Sequence, residues 1–216
     1  NEASTLPALL RSLHCQTTPP DEIIIVDNGS TDGTTAVLRA ASGIKYLAYP
    51  SPPSKTRALE YGLSKAQGDI VLLTDADCLV PPHWVEHMAG SVGTNNTVVI
   101  GTNTLTGGSS FDRLQRLDMQ ISQITYGGLA EAGIPTTGQG RSLGFLKKHY
   151  LATGGLRILT PEQNGDDMFL VLSIAKLRGR AVLCPSCPVL HPPERTLGAF
   201  LQQRIRWSAA GKIHFH

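Results

Sequence analysis

Short β-branched runs alternate with helical patterns along this chain, and two of the runs lead straight into aspartates. Leu6, Leu9, Leu10 and Leu13 recur at helical spacing, with Ser4 as the expected N-cap and Pro7 inside the tolerant first turn. Residues 22–26 read as a strand that runs into Asp27 and the turn-rich Asn28-Gly29-Ser30-Thr31-Asp32-Gly33. A helix over 34–41 and a strand over Lys45–Ala48 follow. Next come a proline loop at 50–53 and a helix whose apolar face holds Ala58, Leu59, Gly62, Leu63 and Ala66. Gly68 stops that helix, and 70–74 is a buried-type strand followed by Asp75 and Asp77. Such alternation implies an α/β fold with a mostly parallel sheet sandwiched by helices. Sheets of this kind bind ligands at the carboxyl ends of their strands.

The second half is looser. A helix is expected over 81–92, a strand over 98–102 and a flexible break over 107–110. Phe111, Leu114, Leu117, Ile121 and Ile124 then form a helical stripe, expected to rest on the sheet; a place on a bilayer surface is the alternative. The polar face of that helix lacks a basic excess, which favours core packing. A Gly-rich loop (127–140), an apolar segment (143–146), a helix (167–177), a strand (181–184) and a last helix (197–210) complete the chain.

Composition closes off several classes. With 216 residues, 41% of them hydrophobic, the chain fits a folded domain with a sizeable core and not a disordered one. A net charge of +2 argues against nucleic acid as a partner, and no apolar run approaches the roughly 20 residues of a membrane span. Four scattered cysteines (Cys15, Cys78, Cys184, Cys187) are too few for a secreted disulfide framework and favour a reducing compartment. The opening Asn1-Glu2 has no initiator Met and no signal-peptide pattern, so the sequence reads as a piece of a longer chain.

Several residues could carry chemistry. Asp75 and Asp77, two apart beyond a strand, can turn both carboxylates toward one point, where a Mg²⁺ or Mn²⁺ ion carrying phosphate oxygens would relieve their repulsion. The plainer alternative is a pair of solvated loop acids. Asp27 could accept from a ribose hydroxyl or a base N–H, or could simply cap its own turn. Lys55 and Arg57, opening a helix, suit phosphate or are a solvated basic pair. Asp166 and Asp167 sit where helix dipoles attract acids; facing the same cleft as Asp75 and Asp77, one would be a credible general base. Gln203, Arg206 and Trp207 share a helix face through i, i+3 and i+4 spacing, which suits a phosphorylated or sugar ligand or an ordinary amphipathic helix. Cys184-x-x-Cys187 with His191 falls one ligand short of structural zinc unless Cys15 joins.

Taken in order, these motifs resemble the family-2 glycosyltransferases of the GT-A fold, and within them the β-glycan synthase branch of cellulose, chitin and hyaluronan synthases. That branch carries an Asp, a D-x-D, a further Asp and Q-x-x-R-W, with 35 residues between the last two in its short form; 35 residues also separate Asp167 from Gln203 here. The run Ile23-Ile24-Ile25-Val26-Asp27-Asn28-Gly29-Ser30-Thr31-Asp32-Gly33-Thr34 is equally similar to the family. The resemblance implies one GT-A catalytic domain, with 1–105 as nucleotide-binding half and 106–216 as acceptor-binding half.

It also implies roles. Asn1, Glu2, Asp27, Lys55 and Asp75 would bind the nucleotide of a UDP-sugar, while Asp77 and His191 would ligate Mg²⁺ or Mn²⁺. Gly138, Gln139 and Gly140 would lie beside the donor sugar, Asp167 would be the catalytic base, and Asp166, Gln203, Arg206 and Trp207 would help hold pyrophosphate and acceptor. The implied reaction is an inverting, metal-dependent transfer to a saccharide or lipid-linked acceptor, giving a β-glycoside. The whole protein would then act at the cytoplasmic face of the cell membrane, held there through segments outside this sequence.

This sequence departs from the family in two respects: the family's first strand is missing ahead of Asn1-Glu2, and the usual Glu-Asp is Asp166-Asp167. Two other readings use the same residues. A sugar-phosphate nucleotidyltransferase would need a Gly-rich, Arg-containing loop after its first strand, which nothing here supplies. A non-catalytic nucleotide- or carbohydrate-binding relic would need only the pocket.

Overall fold

In the computed structural model the described residues are 1–93, 98–156, 165–177 and 179–213, with side chains described to 208. The elements run α1 (Leu6–His14), β1 (Ile24–Asp27), α2 (Thr34–Ala40), β2 (Lys45–Ala48), α3 (Lys55–Lys65), β3 (Ile70–Leu73), α4 (Trp84–Ser91), β4 (Val98–Leu105), α5 (Ser110–Glu131), β5 (Leu143–Leu146), α6 (Lys147–Ala152), α7 (Asp166–Lys176), β6 (Ala181–His191) and α8 (Leu197–Ile213). α1 buries Leu6, Leu9, Leu10 and Leu13, the stripe its periodicity requires. Its N-cap is Thr5 and not Ser4, and the Thr5 hydroxyl does not cap the helix but donates to the Glu2 carboxylate at 2.6 Å. α3 starts at a true cap: the Ser54 hydroxyl accepts from the Arg57 N–H. Glu22, expected within the first strand, precedes it; its carboxylate accepts from the N–H groups of Gln67 and Gly68 and pins the turn after α3.

β1 and β2 form a parallel pair, Ile24 opposite Lys45 through Asp27 opposite Ala48. The larger sheet has the order β3-β5-β4-β6. β4 and β6 are parallel, and β5 runs antiparallel to both of its neighbours, so β3, β4 and β6 point one way and β5 alone is reversed. No ladder joins the two sheets among the described residues. Between them lies an apolar cavity of about 510 Å³, walled by Ile23, Ile25, Ala58 and Leu63 on the β1 side and by Val71 and Leu72 on the β3 side.

Strand alternation sends Val98 and Ile100 of β4 into one hydrophobic cluster, with Phe145, Leu170 and Val171, and Val99 into the other, with Leu9, Trp84 and Met88. The larger sheet is therefore covered on both faces.

α5 departs from expectation. Its apolar stripe does not rest on the sheet: Leu114, Leu117, Ile121 and Ile124 are between 54% and 75% exposed. The inward face carries Gln115, Met119, Gln123 and Tyr126 instead. The cause is a register break in the β4–β6 ladder between Gly101 and Asn103. Gln123 serves the freed backbone there, its Oε1 accepting from Asn103 N–H and its Nε2 donating to Asn103 C=O, at 2.9 and 2.8 Å. Gln115 does the same for the N–H and C=O of Glu194, both at 3.0 Å. Buried backbone groups need partners, and these two amides turn the polar side of the helix inward.

Candidate active site

β1 carries Asp27 to its carboxyl end, where the side chain is 8% exposed. Oδ1 accepts from Ser30 N–H at 2.9 Å and Oδ2 from the Thr35 hydroxyl at 2.7 Å. Burial pushes this carboxyl's pKa upward, but the hydrogen bonds from Ser30 and Thr35 outweigh it, and the net value lies below the ordinary one. Asn1 Oδ1 accepts from Thr31 N–H and Glu2 N–H donates to the Thr34 hydroxyl, so the start of the chain braces the same turn. Asn1, Glu2 and Asp27 together line a recess of about 260 Å³ that reaches Ala76 of the D-x-D segment.

Beyond β3, Asp75 meets two cations. Lys55 Nζ lies 3.2 Å from Oδ1, and Arg141 Nε lies 3.8 Å from Oδ2. Burial raises the Asp75 pKa, yet Lys55 and Arg141 overcome it and hold the carboxyl ionised. Burial likewise disfavours the Lys55 ammonium, and the charges of Asp75, Asp166 and Asp167 more than reverse that. Asn28 adds a brace: its Oδ1 accepts from Ser54 N–H at 2.9 Å, tying the turn after β1 to the start of α3.

α7 supplies the second acidic pair. Gly165, at φ +98°, turns the chain into the helix through a left-handed conformation that favours glycine. Asp166 is buried, and Asp167 accepts from Gly140 N–H at 3.1 Å and from its neighbour Met168 N–H at 2.9 Å. Burial, then repulsion from Asp166, raises the Asp167 pKa above the usual carboxylate range. Lys55, Asp75, Gly140, Asp166 and Asp167 all line the large cavity. A carboxylate of raised proton affinity beside two cations suits a proton acceptor working next to an anionic group.

His191 ends β6. Its Nδ1 lies 3.0 Å from the Pro192 carbonyl, which can only accept, so Nδ1 carries the proton and Nε2 presents a lone pair. Nε2 is buried without a hydrogen-bond partner. Burial and the charge of Arg141 depress the His191 pKa to about 4, against the pull of Asp77 and Asp75. A neutral imidazole with an orphaned nitrogen near two carboxylates fits a divalent cation. Among the described residues no three His, Cys, Asp or Glu side chains converge on one point. Asp77 and His191 would therefore hold an ion jointly with oxygens of its ligand.

The other expected residues divide. Gln139 Oε1 accepts from Asn103 Nδ2 at 2.9 Å, and Gly138 is packed so closely on α7 that a Cβ would meet Val171 at 2.7 Å. Of the Gly138–Gly140 segment, Gly140 is the residue that faces the cavity. On α8 the expected shared face is split. Gln203 is buried and donates to Glu194 at 2.6 Å, whereas Arg206 is exposed. Arg204, not Arg206, stacks on the Trp207 ring at 4.3 Å, and Arg141 approaches the same ring at 6.0 Å. Arg141 thus links Trp207 to Asp75. Arg141 stands one residue beyond the Gly-rich loop and belongs to no sequence motif. Cys184 and Cys187 have Sγ atoms 3.8 Å apart inside the core while Cys15 is exposed, so no zinc set forms among the described residues.

The family model described as Glycosyl transferase family 2 matches residues 1–155. The chain belongs to glycosyl transferase family 2. The glycosyltransferase AglE of Haloferax volcanii is 28% identical over 109 residues, covering 48% of this chain and 36% of that protein. An undecaprenyl-phosphate 4-deoxy-4-formamido-L-arabinose transferase of Serratia proteamaculans is 34% identical over 110 residues, covering 47% of this chain and 33% of that protein. The chain thus spans about a third of the length of these relatives.

Among solved structures, a mannosyltransferase of Pyrobaculum calidifontis in complex with GDP-Man and Mn²⁺ superposes with a TM-score of 0.78 at 22% identity, over 96% of this chain and 58% of that one. Glucosyl-3-phosphoglycerate synthase of Mycobacterium tuberculosis, with Mn²⁺ and UDP-glucose, gives 0.64 at 20% identity, over 97% of this chain and 74% of that one. At these identities the likeness establishes the fold, which is GT-A. The family-2 match ends before Asp166-Asp167 and the Gln203–Trp207 segment, so those residues stand on geometry alone.

Proposed function

We propose that this family-2 chain is the catalytic domain of an inverting glycosyltransferase. It moves a sugar from a UDP-sugar to a saccharide or lipid-linked acceptor and forms a β-glycosidic bond. The observation that carries the reading is the one cavity lined by Lys55, Asp75, Gly140 and Asp167, with Lys55 paired to Asp75 and Asp167 held by Gly140 N–H.

The recess of Asn1, Glu2 and Asp27 takes the nucleoside, and the half built on 1–105 is the nucleotide side. Lys55 and Arg141 orient the diphosphate and offset the negative charge that grows on it as it leaves. Asp77 and His191 would hold Mg²⁺ or Mn²⁺, which when bound supplies further charge neutralisation at the diphosphate. Asp167 takes the proton of the acceptor hydroxyl while that oxygen bonds to C1. The bond from C1 to the diphosphate oxygen breaks, and UDP departs with the electron pair. One displacement on the face opposite the leaving group inverts an α-linked donor to a β-glycoside. Trp207 offers a flat face to the acceptor sugar, and Gln203 steadies the start of α8 through Glu194. The Gln203–Trp207 segment, spaced as in the β-glycan synthases, supports chain extension as the finer assignment.

The test is a UDP-release screen over UDP-sugars with Mn²⁺, run beside Asp167→Asn. Turnover with one donor, lost by roughly 10²–10⁴-fold in the variant while calorimetric UDP binding is unchanged, supports the reading. Unchanged turnover in Asp167→Asn removes it. UDP binding without turnover for any donor would favour the binding relic, a reading that the break between the two sheets keeps in view.

A further inference from the structure

We propose that Cys184 and Cys187 are a peroxide-responsive dithiol that closes to a reversible disulfide across the distorted stretch of β6. The ladder with β4 sets Cys184 opposite Gly101 and Val189 opposite Asn103, so residues 185–188 face Thr102 alone. These surplus residues leave the regular ladder, with Pro185, Ser186 and Pro188 exposed. The Thr102 hydroxyl donates to the Pro185 carbonyl at 3.3 Å, and the two proline rings fix φ, so the excursion holds one shape. It tucks both thiols beneath it: Cys184 is 4% exposed and Cys187 1%, with their Sγ atoms 3.8 Å apart. Closure to the S–S length of about 2.05 Å is a short step for two side chains on one such excursion.

The other cysteines lack this arrangement. Cys15 is exposed, and the buried Cys78 donates to the Asp77 carboxylate at 3.5 Å; burial and the charges of Asp77 and Asp75 push its thiol up to about 12. At the pair the two thiols part. The Cys187 thiol donates to Cys184 and, against burial, holds it below the ordinary value, aided by Ser186 N–H and the charge of His87. The same hydrogen bond, with burial, raises Cys187. Cys184 is therefore the attacking sulfur and Cys187 the resolving one. The cover over them excludes a bulky disulfide oxidant and admits one the size of a peroxide. Cys184 Sγ gives up its proton and bonds to one peroxide oxygen; the O–O bond breaks, and the departing hydroxide takes that proton to become water. The resulting sulfenic acid is attacked by Cys187 Sγ, the S–O bond breaks, and the hydroxyl leaves with the Cys187 proton as a second water. The thiols lose two electrons and the peroxide gains them; a dithiol reductant reverses the change by exchange. Asn103, at the far end of the excursion, donates to Gln139, whose neighbour Gly140 donates to Asp167. Oxidation thus reaches the proton acceptor along these contacts; this consequence, unlike the disulfide itself, rests on the glycosyltransferase reading.

The experiment treats the full native chain with hydrogen peroxide, without donor or acceptor, then unfolds it, alkylates it with iodoacetamide and cuts it with trypsin. Both cysteines fall in the single tryptic peptide 181–195, which follows Arg180 and ends at Arg195. That peptide should emerge two hydrogens lighter and unalkylated, and dithiothreitol added before unfolding should restore both alkylation sites. Cys187→Ser should leave Cys184 as a sulfenic acid that dimedone captures, and Cys184→Ser should leave Cys187 unmodified. A wild-type peptide carrying two alkyl groups, at a dose that oxidises Cys15, overturns the proposal, and this measurement needs no variant to fold. So does a disulfide that forms only after unfolding. Dimedone capture at Cys187 instead of Cys184 overturns the order of attack. UDP-release kinetics of the oxidised wild type, set beside Cys184→Ser/Cys187→Ser treated alike, test the link to the site. A shift in KM or kcat confined to the wild type supports it, and equal kinetics remove the link while the disulfide stands. Disulfide formation in a chain that turns over no donor would remove the enzymatic reading alone.

Discussion

The two sheets of this molecule carry the two halves of the candidate site and are held together very differently. β4 and β5 are clamped between two hydrophobic clusters, with Val98, Val99, Ile100, Leu143 and Phe145 wholly buried. β1 and β2 pair over four residues, are mostly half-buried, and border a cavity on the β1 side. Isolated two-stranded sheets are marginal without cover. Yet Asp27, the nucleotide-side acid, hangs on β1, whereas Asp167 rides on α7, whose Leu170, Val171 and Ile174 sit in the core of the larger sheet. Asp27 thus stands on the less buried sheet and Asp167 on a helix anchored in the more buried one.

The largest test of that contrast is a pair of truncations. Phe145→Ala empties a site at the centre of the four-stranded sheet and should cost about 3–5 kcal/mol by denaturant unfolding. Ile25→Ala, on the half-buried pair, should cost about 1–2 kcal/mol. Equal losses would mean that the two sheets share one core, and the distinction drawn between them would fail. Next in size is Arg141→Ala. Arg141 belongs to the segment entering β5 and reaches Asp75 beyond β3, which places it beside the proposed diphosphate site. The donor KM should rise roughly tenfold, the worth of about one charge-assisted hydrogen bond, with partial rescue by Arg141→Lys and little change in kcat. A fall in kcat at unchanged KM would move Arg141 from donor binding into the chemical step.

The distinction also explains what the sequence could disclose. Strands of the larger sheet are β-branched or aliphatic runs that must be buried, and Ile70–Leu73 and Val98–Leu105 were found by that signal, the latter only in its first half. Asp27, Asp75 and Asp167 were legible because each follows a strand or opens a helix, where backbone geometry fixes side-chain position. On α5 periodicity identifies an apolar face without saying what it faces. The decisive facts were the register break at Gly101–Asn103 and the backbone groups of Glu194, neither visible in a run of residue types. Gln203 and Arg206 share a helical spacing, but Glu194 captures the first, a contact between segments that local spacing does not encode. Arg141 carried no motif at all; its role comes from three segments meeting.

The smallest expected effect is also the one that separates the two supports by sign. Asp27 titrates below its ordinary value of 3.8 because Ser30 and Thr35 bonds overcome burial. Its ionised form is thus favoured by folding, so its stabilising contribution is present above pH 3.8 and is lost as pH falls through the depressed value. Asp167 titrates above 3.8, through burial and the charge of Asp166. Between 3.8 and that raised value the folded state binds the extra proton, so stability declines as pH climbs through the interval and the ionised carboxylate is a net cost at neutral pH. Thermal melts should therefore show Asp167→Asn more stable than wild type at pH 7, with the gain fading toward pH 3. Asp27→Asn should be less stable at pH 7, with its deficit shrinking over the same acid range. If both variants moved in the same direction, the acids would share one electrostatic environment, and the assignment of a proton acceptor to α7 alone would lose its physical basis.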